Sequence, residues 1–238
     1  MASIDPDLLL RAYSIGVFPM SDSRDADDVF WVEPRRRAVI PLDAFRLSRS
    51  LRKTLRSGAF QVTSDRAFAQ VIRRCSEREE TWINFDIEEG FTRLHDLGHA
   101  HSIEVWQDGE LAGGLYGVRL GGAFFGESMF SLRTDASKVA LAWLVARLKA
   151  GGFRLLDCQF ITDHLRSLGA VEITQKDYIA LLEEALSSSS TAGEEAAAPF
   201  ARGEEPDFGA LERVLAEAGA ASPAAAGCVI SQLLGQTS

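Results

Sequence analysis

The feature that most constrains this chain is a pair of alternating apolar runs, Ser102-Ile103-Glu104-Val105-Trp106 and Leu111 to Val118, joined through Asp108-Gly109. Asp-Gly supplies the backbone of a tight turn, so the two runs pair as an antiparallel hairpin. A third strand follows Gly121-Gly122, and its residues are mixed: Ala123-Phe124-Phe125-Gly126-Glu127-Ser128-Met129-Phe130-Ser131 sets a glycine and a carboxylate among aromatics. Glycine inside a strand weakens it unless a bulge or a ligand needs the backbone. The stretch reads as a strand carrying a site; taken alone, a core strand with Glu127 in water is the plainer explanation.

Around these strands the periodicity predicts an α+β fold with a mixed, largely antiparallel sheet. A helix begins at Pro6 and stops at Gly16, and Val29–Val32 and Arg37–Pro41 are strand-like. Leu42 to Gly58 reads as one helix with Leu47, Leu51 and Leu55 on a dry face and bases opposite. Phe60–Thr63 is a strand, Ser64 or Asp65 caps a helix reaching Cys75, and a further helix spans Asp86–Leu97. After the three strands come a helix over Asp135–Ala150, a strand over Arg154–Phe160 that delivers Asp157 and Gln159, a short helix at Asp163–Gly169, a strand at Val171–Ile173 and a helix over Lys176–Leu186. From Ser187 the composition turns to Ser, Ala, Gly, Glu and Pro. Disorder is expected there, with weak helices near Phe208–Ala218 and Cys228–Leu234 that form no core alone and are dispensable for chemistry. The division expected is a small N-terminal α/β lobe over 1–63, a catalytic domain over 64–186 and an acidic tail over 187–238.

No run of some 18 apolar residues exists, and Met1-Ala2-Ser3-Ile4-Asp5-Pro6 lacks the basic and apolar regions of a signal peptide. The expectation is a cytoplasmic protein away from membranes. Cys75, Cys158 and Cys228 are too scattered for a disulfide framework. His95 and His99 are four apart, but Gly98 lies between them and no Glu or Cys completes a metal set, so no metal is expected. The net charge of -9 is uneven: from Arg35 to Arg56 eight bases face Asp43 alone, and from Glu183 onward nine acids face two arginines. The basic segment could hold a phosphate backbone; a solvated helix face is the plainer explanation.

Many short stretches stand in the order of one family. Tyr13-Ser14-Ile15-Gly16-Val17-Phe18-Pro19, Ser50-Leu51-Arg52-Lys53, Thr81-Trp82-Ile83, Gly113-Gly114-Leu115-Tyr116-Gly117-Val118, Phe124 to Ser131, Ala136-Ser137-Lys138, Asp157-Cys158-Gln159 and Ser167-Leu168-Gly169-Ala170 resemble leucyl/phenylalanyl-tRNA-protein transferases, over about residues 6–186. The resemblance implies a catalytic domain similar to GNAT acyltransferases. It also implies transfer of Leu or Phe from aminoacyl-tRNA to proteins beginning with Arg or Lys, which marks them for proteolysis; no cofactor is expected, and a monomer is the simplest state. Two departures stand out: Phe30-Trp31-Val32-Glu33-Pro34 replaces paired tryptophans followed by Ser-Pro, and Leu144 stands where the pattern has phenylalanine.

By resemblance and by chemistry, Leu115, Phe124, Met129, Leu144 and Leu156 line an apolar slot, and Trp31 and Trp82 offer flat faces to the terminal adenine. Core packing explains Leu115 and Leu156 equally. Glu127 and Asp157 are the anionic groups for the acceptor amine and Gln159 orients it; Ser131 is either a donor to the carbonyl or ribose or a hydroxyl that satisfies a strand end. Arg35, Arg36, Arg37, Arg49, Arg52, Lys53 and Arg56 form the track for the tRNA acceptor stem. Two other readings compete: an acyltransferase using acyl-CoA, whose pyrophosphate loop is missing before Asp135, and a non-catalytic binder of basic N-termini or aminoacyl-tRNA.

Overall fold

A computed structural model describes residues 4–78, 80–187 and 205–235. In chain order the elements are α1 (Pro6–Ser14), β1 (Phe18–Met20), β2 (Phe30–Val32), β3 (Arg36–Val39), a 3-10 turn (Leu42–Ala44), α2 (Arg49–Ser57), β4 (Gln61–Ser64), α3 (Phe68–Ser76), α4 (Phe85–Asp96), β5 (Ala100–Gln107), β6 (Glu110–Leu120), β7 (Ala123–Ser131), α5 (Ala136–Ala150), β8 (Leu155–Asp157), α6 (Asp163–Ser167), β9 (Val171–Thr174), α7 (Gln175–Ser187), α8 (Ala210–Glu217) and α9 (Pro223–Leu233).

The architecture is α+β. Seven strands form one sheet in the order β4-β5-β6-β7-β8-β3-β9, and β1 and β2 form a separate ribbon. Every pairing in the large sheet is antiparallel except β7 with β8. Adjacent strand residues point to opposite faces, and each face has its own core. Phe124 and Leu115 join α2, α5, α8 and α9 on one side, while Phe125 and Tyr116 join α1, α3, α4 and α7 on the other. The apolar α5 is buried along almost its whole length because α8 and α9 cover what the sheet leaves open.

Several expectations need correction. The helix expected over 42–58 is broken: Phe45 is extended, and α2 starts only where the Ser48 hydroxyl accepts from the Leu51 N–H at 3.1 Å. Neither Ser64 nor Asp65 caps α3; Asp65 takes φ 58° and its carboxylate accepts from the Ser102 N–H and meets the His101 ring instead. Strand β8 ends at Asp157, three residues before the expected Phe160. A boundary at residue 63 does not divide the sheet, since β3 and β4 are both strands of it.

Within the tail, residues 188–204 lie outside those described, yet α8 and α9 are docked, with Phe208, Leu211 and Ile230 buried in the α5 core. Low-complexity composition hid this, because alanine and glycine bury surface only when a neighbour comes close.

Candidate active site

The site lies where β7 and β8 part. Their parallel pairing covers only Ala123–Phe125 against Leu155–Asp157; β7 then runs on to Ser131 without β8 beside it. At the parting Tyr116 pairs with Ser128 but Gly117 pairs with Gly126, leaving Glu127 as the extra residue of a β-bulge. The bulge shifts the alternation by one. Met129 therefore joins Leu115 on the α5 side while Phe130 turns to the other core. Gly117 is required here, since a Cβ at that position would stand 2.2 Å from the Phe125 carbonyl oxygen.

Glu127 is only 7% exposed. Its Oε1 accepts from the Tyr13 hydroxyl at 2.7 Å and its Oε2 from Gln159 Nε2 at 2.8 Å. Burial pushes its carboxyl up to about 7, against the two donors that favour the anion. Its own burial, and then the same carboxylate, hold the Tyr13 phenol well above the usual tyrosine range.

Gln159 sits at φ 60°, a left-handed conformation costly for a residue with a side chain. It is clamped there: its N–H donates to Asp157 Oδ1 at 2.8 Å, and its carbonyl accepts from the Ala38 N–H at 3.0 Å. Asp157 is sealed at 0% exposure against Arg37 at 1%. Arg37 Nε and Nη2 donate to its carboxylate at 2.9 and 2.5 Å, and the Tyr178 hydroxyl donates at 2.9 Å. Arg37 also donates to the Gly16 carbonyl and lies 4.6 Å from the ring centroids of Phe18 and Tyr178. A buried ion pair of this kind fixes geometry more than it adds stability.

Glu127 and Gln159 open onto a cavity of about 430 Å³. Leu115, Met129, Leu141, Leu144, Leu156 and Leu165 give it apolar walls, with Trp82, Arg78, Phe160 and His164 also on its lining. Burial and nearby Lys138 lower the His164 pKa, favouring the neutral ring. The arrangement is a greasy pocket with a carboxylate and an amide at one side, suited to an apolar group whose polar end carries an amine.

Residues 39–183 match a family model described as leucyl/phenylalanyl-tRNA protein transferase, and residues 2–35 match that family's N-terminal domain. The chain belongs to the leucyl/phenylalanyl-tRNA protein transferase family. A relative of that name from Rhizorhabdus wittichii is 62% identical over 253 residues, covering 100% of each chain. Another from Zymomonas mobilis is 62% identical over 192 residues, covering 79% of this chain and 72% of its own. Among solved structures the chain is similar to FemX, with TM-score 0.47 and 12% identity over 74% of this chain and 71% of that one.

Of the residues singled out from the sequence of this family member, Glu127, Gln159, Trp82, Leu115, Met129, Leu144 and Leu156 come together on the pocket. Asp157 does not reach it; the aspartate is consumed by Arg37, Tyr178 and the Gln159 backbone. Phe124 packs away from the wall, its ring parallel to Phe208 at 5.6 Å. Trp31 stands exposed on β2, and Ser131 bonds locally, accepting from the Ser137 N–H. Arg37 is removed from the basic track by burial, and Arg36 pairs with Glu172 on β9. Arg49, Arg52, Lys53 and Arg56 remain exposed and line one groove along α2.

Tyr13 was missed as a partner of Glu127. Its signal was present: it shares the dry face of α1 with Leu9 and Ala12, and a buried tyrosine hydroxyl needs a partner. Among the described residues no three His, Cys, Asp or Glu side chains gather to hold a metal, and no helix is long and apolar enough to cross a membrane.

Proposed function

We propose that this chain moves leucine or phenylalanine from aminoacyl-tRNA to the N-terminal amine of proteins beginning with Arg or Lys, in the cytoplasm and as a single chain. The observation that carries this is the apolar cavity with Glu127 and Gln159 at its side. The aminoacyl side chain fills the cavity, Trp82 offers a face to the terminal adenosine, and the acceptor amine meets Glu127. Attack of the amine on the ester carbonyl forms the amide C–N bond, breaks the ester C–O bond and releases the tRNA 3'-hydroxyl. The proton leaving nitrogen goes to Glu127, whose pKa of about 7 suits a base at cytoplasmic pH, and Glu127 then gives it to the departing 3'-oxygen, which leaves as the hydroxyl. Gln159 has no basic atom of useful strength; it holds Glu127 and the amine in place. Ester and amine held in attack geometry account for several kcal/mol of the barrier, on the order of 7 in favourable cases.

The test is transfer of labelled leucine or phenylalanine from charged tRNA to a peptide beginning with Lys or Arg, without ATP or CoA. Label in the peptide is expected; tRNA binding without transfer would leave a binding module. Pocket size should set the choice between the two amino acids. Leu144 lines the cavity, so Leu144→Phe narrows it and is expected to shift the Leu-over-Phe ratio of kcat/KM upward by roughly tenfold or more. An unchanged ratio would place the side chain elsewhere.

The α2 cations are the phosphate contacts of this reading. Affinity for tRNA is expected to fall steeply with salt, and Arg52→Gln to reduce the slope of log K against log salt by about 1, alike for different tRNAs. Salt-independent binding would remove α2 from the interface.

A further inference from the structure

Helix α2 has little to hold it in place. It is nine residues long, and only Leu51 and Leu55 are buried. Arg49, Arg52, Lys53 and Arg56 recur at spacings of three and four, so like charges face one another and destabilise the helix. No acid occupies its first turn, where Arg49 and Arg52 oppose the helix dipole. A helix this short and this charged depends on its neighbours.

Its main neighbour is α9. Gly227 presses its backbone onto α2: a Cβ there would lie 1.8 Å from the Leu55 carbonyl oxygen. Ala224 meets Gly58 at the end of α2, where a Cβ at Gly58 would stand 3.1 Å from the Ala224 Cβ. Helix α9 carries no charged residue, so the contact leaves the cationic face of α2 unneutralised. Its own anchor is the segment before it. Phe208 stacks on His101 at 4.0 Å, its carbonyl accepts from Arg147 Nη1 at 2.6 Å, and Glu212 takes both Arg147 Nη1 and Nη2, at 2.7 and 2.5 Å. Both α8 and α9 lie beyond the residues matched by the family model, which end at 183.

We propose that α8 and α9 form a brace that holds the basic helix α2 in its tRNA-binding position, making Gly227 a positioning residue for the tRNA and not for the chemistry. The inference rests on the tRNA-transferase reading above.

The test is Gly227→Ala in the full chain. Alanine favours helix over glycine, so α9 itself is not weakened; only its approach to Leu55 is blocked. The expected result is a KM for aminoacyl-tRNA raised roughly tenfold with kcat at saturating tRNA unchanged, and faster amide exchange in 49–57 and 223–233 together while β5–β7 exchange as before. An unchanged KM with α9 loosened overturns the brace, and so does a fall in kcat at constant KM. If the variant does not fold, exchange in the wild-type protein decides: α2 and α9 opening as one unit supports the brace, and independent opening overturns it. Failure of the wild type to bind tRNA would sink the transferase reading separately, since the exchange coupling is measured without tRNA.

Discussion

Glu127→Gln is expected to stabilise the protein at pH 8, by about 3 kcal/mol, and to abolish most of its transfer activity. The sign follows from the direction of the shift. In the unfolded chain the carboxyl titrates near its ordinary 4.5, and in the folded protein burial raises it to about 7. Below 4.5 it is protonated in both states and contributes nothing. As pH rises from 4.5 to 7 the unfolded chain releases the proton while the folded one retains it, so folding becomes less favourable across that window; the full cost remains above it. Glutamine has nearly the same shape and no charge to desolvate. Its amide oxygen still accepts from Tyr13, and a flip of the Gln159 amide satisfies its NH2 group. Denaturant unfolding at pH 5 and pH 8 checks this: the gain should be small at the first and large at the second. Equal effects at both would mean Glu127 is not a raised carboxyl. In kinetics, wild-type kcat/KM is expected to rise through pH 7, and the variant to lack that limb, keeping only the rise from the acceptor amine near ~8.

The second large effect concerns Asp157, whose loss leaves Arg37 charged and sealed from water. Asp157→Leu is expected to cost about 3–5 kcal/mol, a large part of the ~5–15 kcal/mol that holds a domain together. Adding Arg37→Met should return the part of that stability owed to the unpaired arginine, because an apolar pair has no charge to desolvate, while the Tyr178 hydroxyl, the Gln159 N–H and the Gly16 carbonyl still lack their partners. Transfer should not return. The Gln159 N–H has lost the Asp157 oxygen 2.8 Å away that kept its left-handed backbone, and a displaced amide costs on the order of 100-fold in kcat/KM. Unfolding midpoints and transfer rates of the two variants separate the roles. Activity recovering together with stability would reduce Asp157 to a counter-ion for Arg37.

The hairpin and the strand after it were legible because Asp108-Gly109 and the alternation fix turn and register locally. Leu115, Met129, Leu144 and Leu156 were legible as pocket walls through the family resemblance and the chemistry of an apolar slot, not through alternation, which the bulge at Glu127 interrupts. What failed was non-local. Arg37 sits in a run of three arginines, where nothing local marks the middle one for burial; its partner Asp157 is 120 residues away. Asp157 and Gln159 were both assigned to the acceptor amine, one as an anionic group and one to orient it, with a strand expected to continue through both. The strand stops at Asp157, and the two residues then have different tasks, one facing Arg37 and the other facing Glu127. Phe124 and Phe125 could not be assigned to faces without knowing where β7 bulges, and the docking of α9 depends on a glycine that meets a carbonyl of another helix.

The position of β3 between β8 and β9 has a consequence for how the protein comes into being. Arg36 and its partner Glu172 are 136 residues apart, so the arginine strand leaves the ribosome roughly ten seconds before the strands it must join. During that wait Arg35, Arg36 and Arg37 keep a nascent edge charged, which discourages it from pairing with other chains. Only when β8 has emerged can Arg37 find Asp157 and the Gln159 backbone be locked, and β9 then closes the sheet on the other side of β3. A nascent chain shorter than this has a pocket wall but no assembled site, so the enzyme cannot act on charged tRNA in the ribosome's vicinity until its own catalytic sheet has closed.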